Sequence, residues 1–328
     1  MVLFVTGVCD KSCFYCPLSE KRKGLDIVYA DEYLVEEDLD LILEGRAIDA
    51  QGTGITGGDP ILRLDKTLRY MKVLKDFFGK SHHIHLYTNG RYLNKDALLK
   101  LNRADLDELR LHPDAMDWEK IAMAKGLGIC TGVEVPAIPG SEGSLKKLIK
   151  YMASIKADFL NLNELEFCPP NSYQLMQRGF ALKEGSMAAA SNSMESAQAV
   201  IDWANLEGIE FPVHYCSSAT KDAVQTRMRI GRRGKNAGRP YEEITSEGLL
   251  SKYRVELSEG SALELKAKIM IELGVPPYML GISSDGAAVE TSKALVRSIS
   301  ILSPNARIAY VEEYPTATRE KFVEYPYP

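Results

Sequence analysis

The sequence predicts an α/β protein: a partial or full (β/α) barrel followed by a small α+β C-terminal domain. Three observations predict it. Over the first 215 residues, short β-branched runs alternate with amphipathic stretches. Those runs end, one after another, in polar residues. After Tyr241 the alternation gives way to strand-like runs around one helical stretch. Strand–helix alternation implies parallel strands joined by helical crossovers. Six or seven such units fill a barrel or most of one; the alternation alone fits an open doubly wound sheet as well.

The expected strands are Val2–Val8, Ala47–Gly54, His83–Thr88, Asp107–Leu111, Ile129–Pro136, Phe159–Asn163 and Ile209–His214. Between them, Ser144–Ala157 places Leu145, Leu148, Ile149, Met152 and Ile155 at steps of three and four, the spacing of one helical face. Thr67–Phe78 does the same with Leu68, Met71, Leu74, Phe77 and Phe78. Asp117–Leu127 and Met194–Leu206 are weaker helical patterns. Pro169–Ser193 breaks the alternation with Pro-Pro-Asn and a Gly/Ala/Ser-rich stretch, which suits an active-site loop or lid. Ser217–Pro240 holds Lys221, Arg227, Arg229, Arg232, Arg233, Lys235 and Arg239 against one acid, Asp222. Beyond it, Lys252–Leu257, Ala306–Tyr314 and Lys321–Tyr325 read as strands and Ala262–Leu273 as a helix. The expected organisation is a barrel over 1–216, a basic connection over 217–240 and a small domain over 241–328.

Composition narrows the class. With 45% hydrophobic and 26% charged residues, the 328-residue chain has the makeup of a globular protein. A net charge of −5 gives no global basic field for nucleic acid. No apolar stretch approaches the ~18–20 residues of a membrane span, and Met1–Val8 lacks a basic leader, so a cytoplasmic protein is expected. Six cysteines are too few and too uneven for a secreted disulfide scaffold. Three of them, Cys9, Cys13 and Cys16, fall within eight positions. Cys130 lies in mid-strand, where a core role is expected.

Thiolates favour zinc and iron–sulfur clusters. A structural zinc site wants four closing ligands, usually as two pairs. Here one tight loop offers three cysteines with no adjacent fourth Cys or His. Such a loop can wrap three corners of a cubane cluster and leave one iron open for chemistry. The plainer alternative is a zinc or packing role, with Cys168 or Cys216 as a distant fourth ligand.

The loop Cys9-Asp10-Lys11-Ser12-Cys13-Phe14-Tyr15-Cys16 resembles the signature of the radical S-adenosylmethionine (SAM) superfamily: C-x3-C-x2-C after the first barrel strand, with an aromatic before the last cysteine. Gly57-Gly58-Asp59-Pro60 resembles the family's Gly-Gly-Glu-Pro motif, with Asp in place of Glu. Tyr87-Thr88-Asn89-Gly90 resembles the third-strand Thr-Asn-Gly of pyruvate formate-lyase activating enzymes. Val135-Pro136 with Pro139-Gly140 resembles their fifth-strand segment. The resemblance spans roughly residues 1–215 and looks nearest to archaeal relatives of those activating enzymes, in which Asn161–Glu166 and His214–Ser218 also look familiar.

The resemblance implies an anaerobic enzyme whose 4Fe-4S cluster, held by Cys9, Cys13 and Cys16, takes SAM at its open iron. An electron from a donor such as ferredoxin or flavodoxin would then break the C–S bond, and the 5′-deoxyadenosyl radical would abstract hydrogen from substrate. It also implies SAM contacts from Tyr15, from Gly57, Gly58, Asp59 and Pro60, and from Asn89. The residue chemistry is compatible. Glycines allow close backbone approach. Asp59 can accept a bond from an ammonium, and Arg110 can pair with a carboxylate. Asn89 before Gly90 is also an ordinary turn pair. Glu134, Asn163, Glu166 and His214 are candidates for SAM or substrate, or for plain strand-end contacts. Cys216 and Cys168 are candidate hydrogen donors, against the alternative of buried thiols.

The basic segment leaves the substrate class open. It suits phosphate, hence an RNA- or tRNA-modifying radical SAM enzyme, or else a solvated helix face. No aromatic residue interleaves it, as stacking on single strands prefers. The leading expectation is a radical SAM enzyme acting on an unidentified protein, peptide or small molecule. The RNA enzyme and a non-catalytic zinc or iron–sulfur module are the alternatives.

Overall fold

The computed structural model describes residues 1–327, with the side chain of Asp222 and the whole of Pro328, two positions counted in the segments above, outside it. The chain divides into two compact units, residues 1–45 with 50–223, and residues 46–49 with 224–328.

The first unit is built on nine strands: β1 (Val2–Phe4), β2 (Tyr29–Ala30), β3 (Tyr33–Leu34), β4 (Gly52–Thr56), β5 (His83–Thr88), β6 (Glu108–Leu111), β7 (Cys130–Ala137), β8 (Phe159–Glu164) and β9 (Val213–Cys216). Their order is β3-β2-β1-β4-β5-β6-β7-β8-β9. From β1 through β9 every pairing is parallel, while β2 and β3 add antiparallel to the outer edge of β1. The order never reverses, so all crossovers advance in one direction, which excludes the doubly wound alternative. No pairing joins β9 to β3, so the barrel is partial.

Register separates the two faces. Leu86 lies beside Leu109, Leu111 beside Val133, and Val133 beside Leu160. These side chains are fully buried. They form one core with α2 (Leu64–Phe78), α3 (Lys95–Arg103), α4 (Glu119–Lys125), α5 (Glu142–Ser154) and the long helix Ser193–Leu206. α1 (Asp38–Ala47) precedes β4. On the opposite, concave face the same register aligns Tyr87 with Arg110, Glu134 with Asn161 and His214, and Asn163 with Cys216. Alternation thus separates helix-facing aliphatics from a polar interior. Cys130 corrects the expectation of a core thiol: it opens β7 on the polar face and is exposed.

Two histidines on β5 and its approach are held neutral. Burial pushes His82, bonded to Thr53 Oγ1 at 2.7 Å, down to about 4, and His85 down to about 3. In the unfolded chain both titrate near 6.5. Between pH 6.5 and 4 the unfolded state therefore binds more protons, so acid favours unfolding. Urea midpoints should show a loss of about 1–3 kcal/mol between pH 7 and pH 5, largely removed in the double variant His82→Gln, His85→Gln.

The second unit carries an antiparallel sheet: β10 (Glu243–Ile244), β11 (Leu250–Glu256), β12 (Gly281–Ile282), β13 (Val289–Thr291), β14 (Arg307–Glu313) and β15 (Lys321–Pro326). Ala262–Leu273 and Lys293–Leu302 pack Leu265, Ile269 and Ile299 on Val255 and Val289. The basic stretch forms a helix over Arg227–Ala237. Its arginines are committed within the unit: Arg227 to the Ser246 carbonyl, Arg232 to Ile48 and Arg233 to Pro315. Arg239 pairs with Glu290 at 2.7 Å. These bonds tie the helix to its own unit. No helix among the described residues is long and apolar enough to cross a membrane.

Candidate active site

The ends of the parallel strands enclose a cavity of about 750 Å³. Cys9, Cys13 and Cys16 line it together with Tyr15, Gly57, Gly58, Asn89, Glu134, Asn163 and Glu166. Asp59, Pro60, Arg110, His214 and Cys216 do not.

The cysteine loop is held by contacts far along the chain. The Cys16 N–H donates to the Cys13 carbonyl at 3.0 Å, closing a turn between two of the thiols. The Lys11 N–H donates to Cys9 Sγ at 3.4 Å, while burial pushes the Cys9 thiol up. Lys11 Nζ reaches the His112 carbonyl and Asp114. Tyr15 Oη meets His112 Nε2 at 2.8 Å, and burial holds that imidazole down at about 4, hence neutral near pH 7. Asp10 accepts from Asn89 Nδ2 and from Arg91, both at 2.9 Å. Asn89 lines the cavity, and its amide ties the end of β5 to the cysteine loop. Nothing in the sequence flagged Asp10 and Arg91, whose pairing spans 81 positions.

The Gly-Gly-Asp-Pro turn packs closely on the chain just after β1. A Cβ on Gly57 would lie 2.4 Å from the Thr6 carbonyl oxygen, and one on Gly58 2.3 Å from that of Val8. The glycines let the turn approach this segment, which accepts from the Gly58 and Asp59 N–H groups at 2.7 and 2.8 Å, and both glycines line the cavity. Asp59 is 1% exposed. It caps the 3-10 turn Pro60–Arg63 through the Ile61 N–H, and accepts from Thr88 Oγ1 and the Asn89 N–H. Burial pushes its carboxyl up against those bonds. Its oxygens are spent inside the fold. Pro60 at the first turn position pre-sets the backbone for that turn and is buried.

Outside the cavity lining, Arg110 lies among Glu108, Glu134 and the Tyr87 hydroxyl. That makes it a half-buried ion-pair centre. Glu134 accepts from Arg110 at 3.0 Å, Asn161 at 3.1 Å and Asn163 at 2.8 Å. Burial opposes its ionisation, but these donors outweigh it and hold the carboxyl below the usual range. Glu166 pairs with Lys221 at 2.7 Å, and both line the cavity. His214 is exposed on the edge strand. Of the later thiols it is Cys168, not Cys216, that reaches the cavity.

The stretch after β8, expected as a loop or lid, is a folded insertion. Bridges join Glu166 to Ala189 and Leu182 to Ala190, a short helix covers Ser172–Gln177, and Leu165, Leu175 and Ala190 bury together against Phe14, Tyr15, Phe167 and Phe180.

Among the described residues no three His, Cys, Asp or Glu side chains converge on one metal position. Three thiols set around one loop suit a cluster that takes one thiolate per iron.

Comparison with known proteins agrees with this geometry. The family model described as "Radical SAM superfamily" matches residues 3–135. A Methanocaldococcus jannaschii protein named "Putative glycyl-radical enzyme activating enzyme" is 40% identical over 284 residues, covering 83% of this chain and 74% of its own. Among solved structures, Streptococcus suis SuiB bound to precursor peptide SuiA matches with a TM-score of 0.49 at 12% identity, over 69% of this chain and 50% of that one. Escherichia coli coproporphyrinogen III oxidase (HemN) matches with a TM-score of 0.39 at 15% identity, over 61% and 51%. The chain spans about half the length of these two structures. Identity of 40% sustained over most of two chains, with the family model lying across the cysteine loop and the strands that frame it, establishes that this chain belongs to the radical SAM superfamily and is an enzyme.

Proposed function

We propose that the chain reductively cleaves SAM on a 4Fe-4S cluster and uses the resulting radical to take hydrogen from a protein or peptide, a glycine of a partner enzyme being the first candidate. One observation supports this: all three thiols open into a single large cavity that β4, β5, β7 and β8 also line. The relative's name supports the choice of a glycine. Cys9, Cys13 and Cys16 would hold the cluster. When bound, it supplies the electron that splits the sulfonium into methionine and a 5′-deoxyadenosyl radical.

The protein's own part is to bind, orient and exclude water. Asn163 and Glu166 present polar atoms to the cavity from the end of β8 and just past it, where SAM or substrate would meet them. Glu134, tied to three donors, keeps Asn163 in one orientation. The neutral His112 holds Tyr15 beside the loop without adding a positive charge there. Electrons would arrive from a small ferredoxin or flavodoxin.

Anaerobic reconstitution with iron and sulfide tests the reading. The expected result is a brown protein with about four irons per chain, the content of one such cluster. It should release 5′-deoxyadenosine from SAM under dithionite and do so faster with the true partner. Stoichiometric zinc, with no SAM cleavage, would sink the proposal.

A further inference from the structure

The cavity thiols sit on a loop whose far side is covered by the insertion after β8, and one residue joins the two. Asn171 is 2% exposed. Its Nδ2 donates to the Tyr15 carbonyl at 3.0 Å and to the Glu166 carbonyl at 2.9 Å, while its Oδ1 accepts from the Cys168 N–H at 2.8 Å. Two carbonyls and one N–H fix the amide orientation without ambiguity, because only the nitrogen can donate. The Tyr15 carbonyl lies between Cys13 and Cys16, in the turn closed by the Cys16 N–H. Beside it, Phe14 stacks on Phe180 with ring centres 6.0 Å apart and planes 3° from parallel, and the Arg178 guanidinium lies 4.6 Å from the Phe14 ring centre.

We infer that Asn171 is a positioning residue: with the Phe14–Phe180 stack behind it, it holds the Cys13–Cys16 turn in ligand-ready shape before iron arrives and keeps water from that side of the cluster. The inference rests on the reading of Cys9, Cys13 and Cys16 as cluster ligands. Two consequences follow. Without the amide, the Tyr15 carbonyl and the Cys168 N–H lose partners in a buried place, and water must enter to satisfy them. Reduction adds a negative charge to the cluster, and a dry apolar wall disfavours the more charged state. Opening the wall therefore raises the midpoint potential.

Hydrogen exchange on the metal-free full chain tests the first part, with Asn171→Ala and Phe180→Ala. Amides of residues 14–16 should exchange about tenfold faster, the worth of one hydrogen bond, with the barrel strands unchanged. After reconstitution, both variants should lose iron faster to EDTA and show a higher midpoint potential by electron paramagnetic resonance titration. Unchanged exchange at 14–16 in both variants, or an unchanged potential in both, overturns the inference. If the unsubstituted chain takes up no cluster, the ligand reading is what fails, and the metal-free exchange still decides whether Asn171 braces the loop.

Discussion

Cys13→Ala should leave the chain folded while removing its iron–sulfur absorption and its SAM cleavage together. Cys13 is the middle thiol of the loop. Its loss leaves two thiolates, too few to retain a cluster with one open iron. The loop is also fixed by Lys11 and Asn89, neither of which needs the Cys13 side chain, and Tyr15, whose hydroxyl also interacts with the Cys13 thiol, keeps its contact with His112. Circular dichroism and melting temperature should therefore stay near those of the unsubstituted chain. The visible iron–sulfur absorption and 5′-deoxyadenosine production should both fall to background. Survival of either in full would mean that the thiols do not ligate a cluster.

Gly58→Ala should be nearly as damaging by a different route. The added carbon would lie 2.3 Å from the Val8 carbonyl oxygen, 2.5 Å from its carbon and 2.8 Å from the Gly7 oxygen. All three are backbone atoms, so no side chain can swing aside. Relief requires the Gly7-Val8 segment after β1 to move, and Cys9 follows Val8 directly. Overpacking of this kind costs about 1–3 kcal/mol, and weakening the Asp59 N–H bond to Val8 adds about 1 kcal/mol. The expected outcome is a melting point lower by several degrees and an iron content reduced more than stability alone explains. Gly143→Ala is the control: its Cβ would meet nothing within 4 Å, inside a helix where alanine is favoured. Equal iron loading of the two variants would show that the tight approach does not set the cysteine loop.

The sequence carried the barrel where one pattern dominated. β5 matches its expected span, His83–Thr88, because strict alternation is bounded by a turn pair at Asn89-Gly90. The helix at Ala262–Leu273 does so as well, with Ser261 and Glu264 forming a capping box before it. Two-residue strands such as β2 and β3 leave no period to detect. α1 was missed because its leucines point both ways: Leu41 is fully buried while Leu39 and Leu43 are exposed. The strand expected from Ala47 begins only at Gly52, since α1 runs on to Ala47. The helix over Lys293–Leu302 was hidden by its serines, one of which, Ser300, bonds back to the Val296 carbonyl.

In the site, the three thiols were legible because their ligand spacing lies within one loop. The partners of Asp59, Asn89 and Arg110 were not. Each choice depends on residues 23 to 79 positions away that only the folded sheet brings into reach. Polar strand ends announce that a mouth exists; they do not say which side chains face it and which are spent holding it together.

The brace on the cysteine turn has an implication for synthesis. Tyr15 and Asn171 are separated by 156 positions. A ribosome adding about 5–20 residues per second makes the thiol loop early and its cover roughly ten to thirty seconds later. During that interval the nascent loop emerges with its sulfurs bare, so metal loading or oxidation on the ribosome competes with completion of the chain.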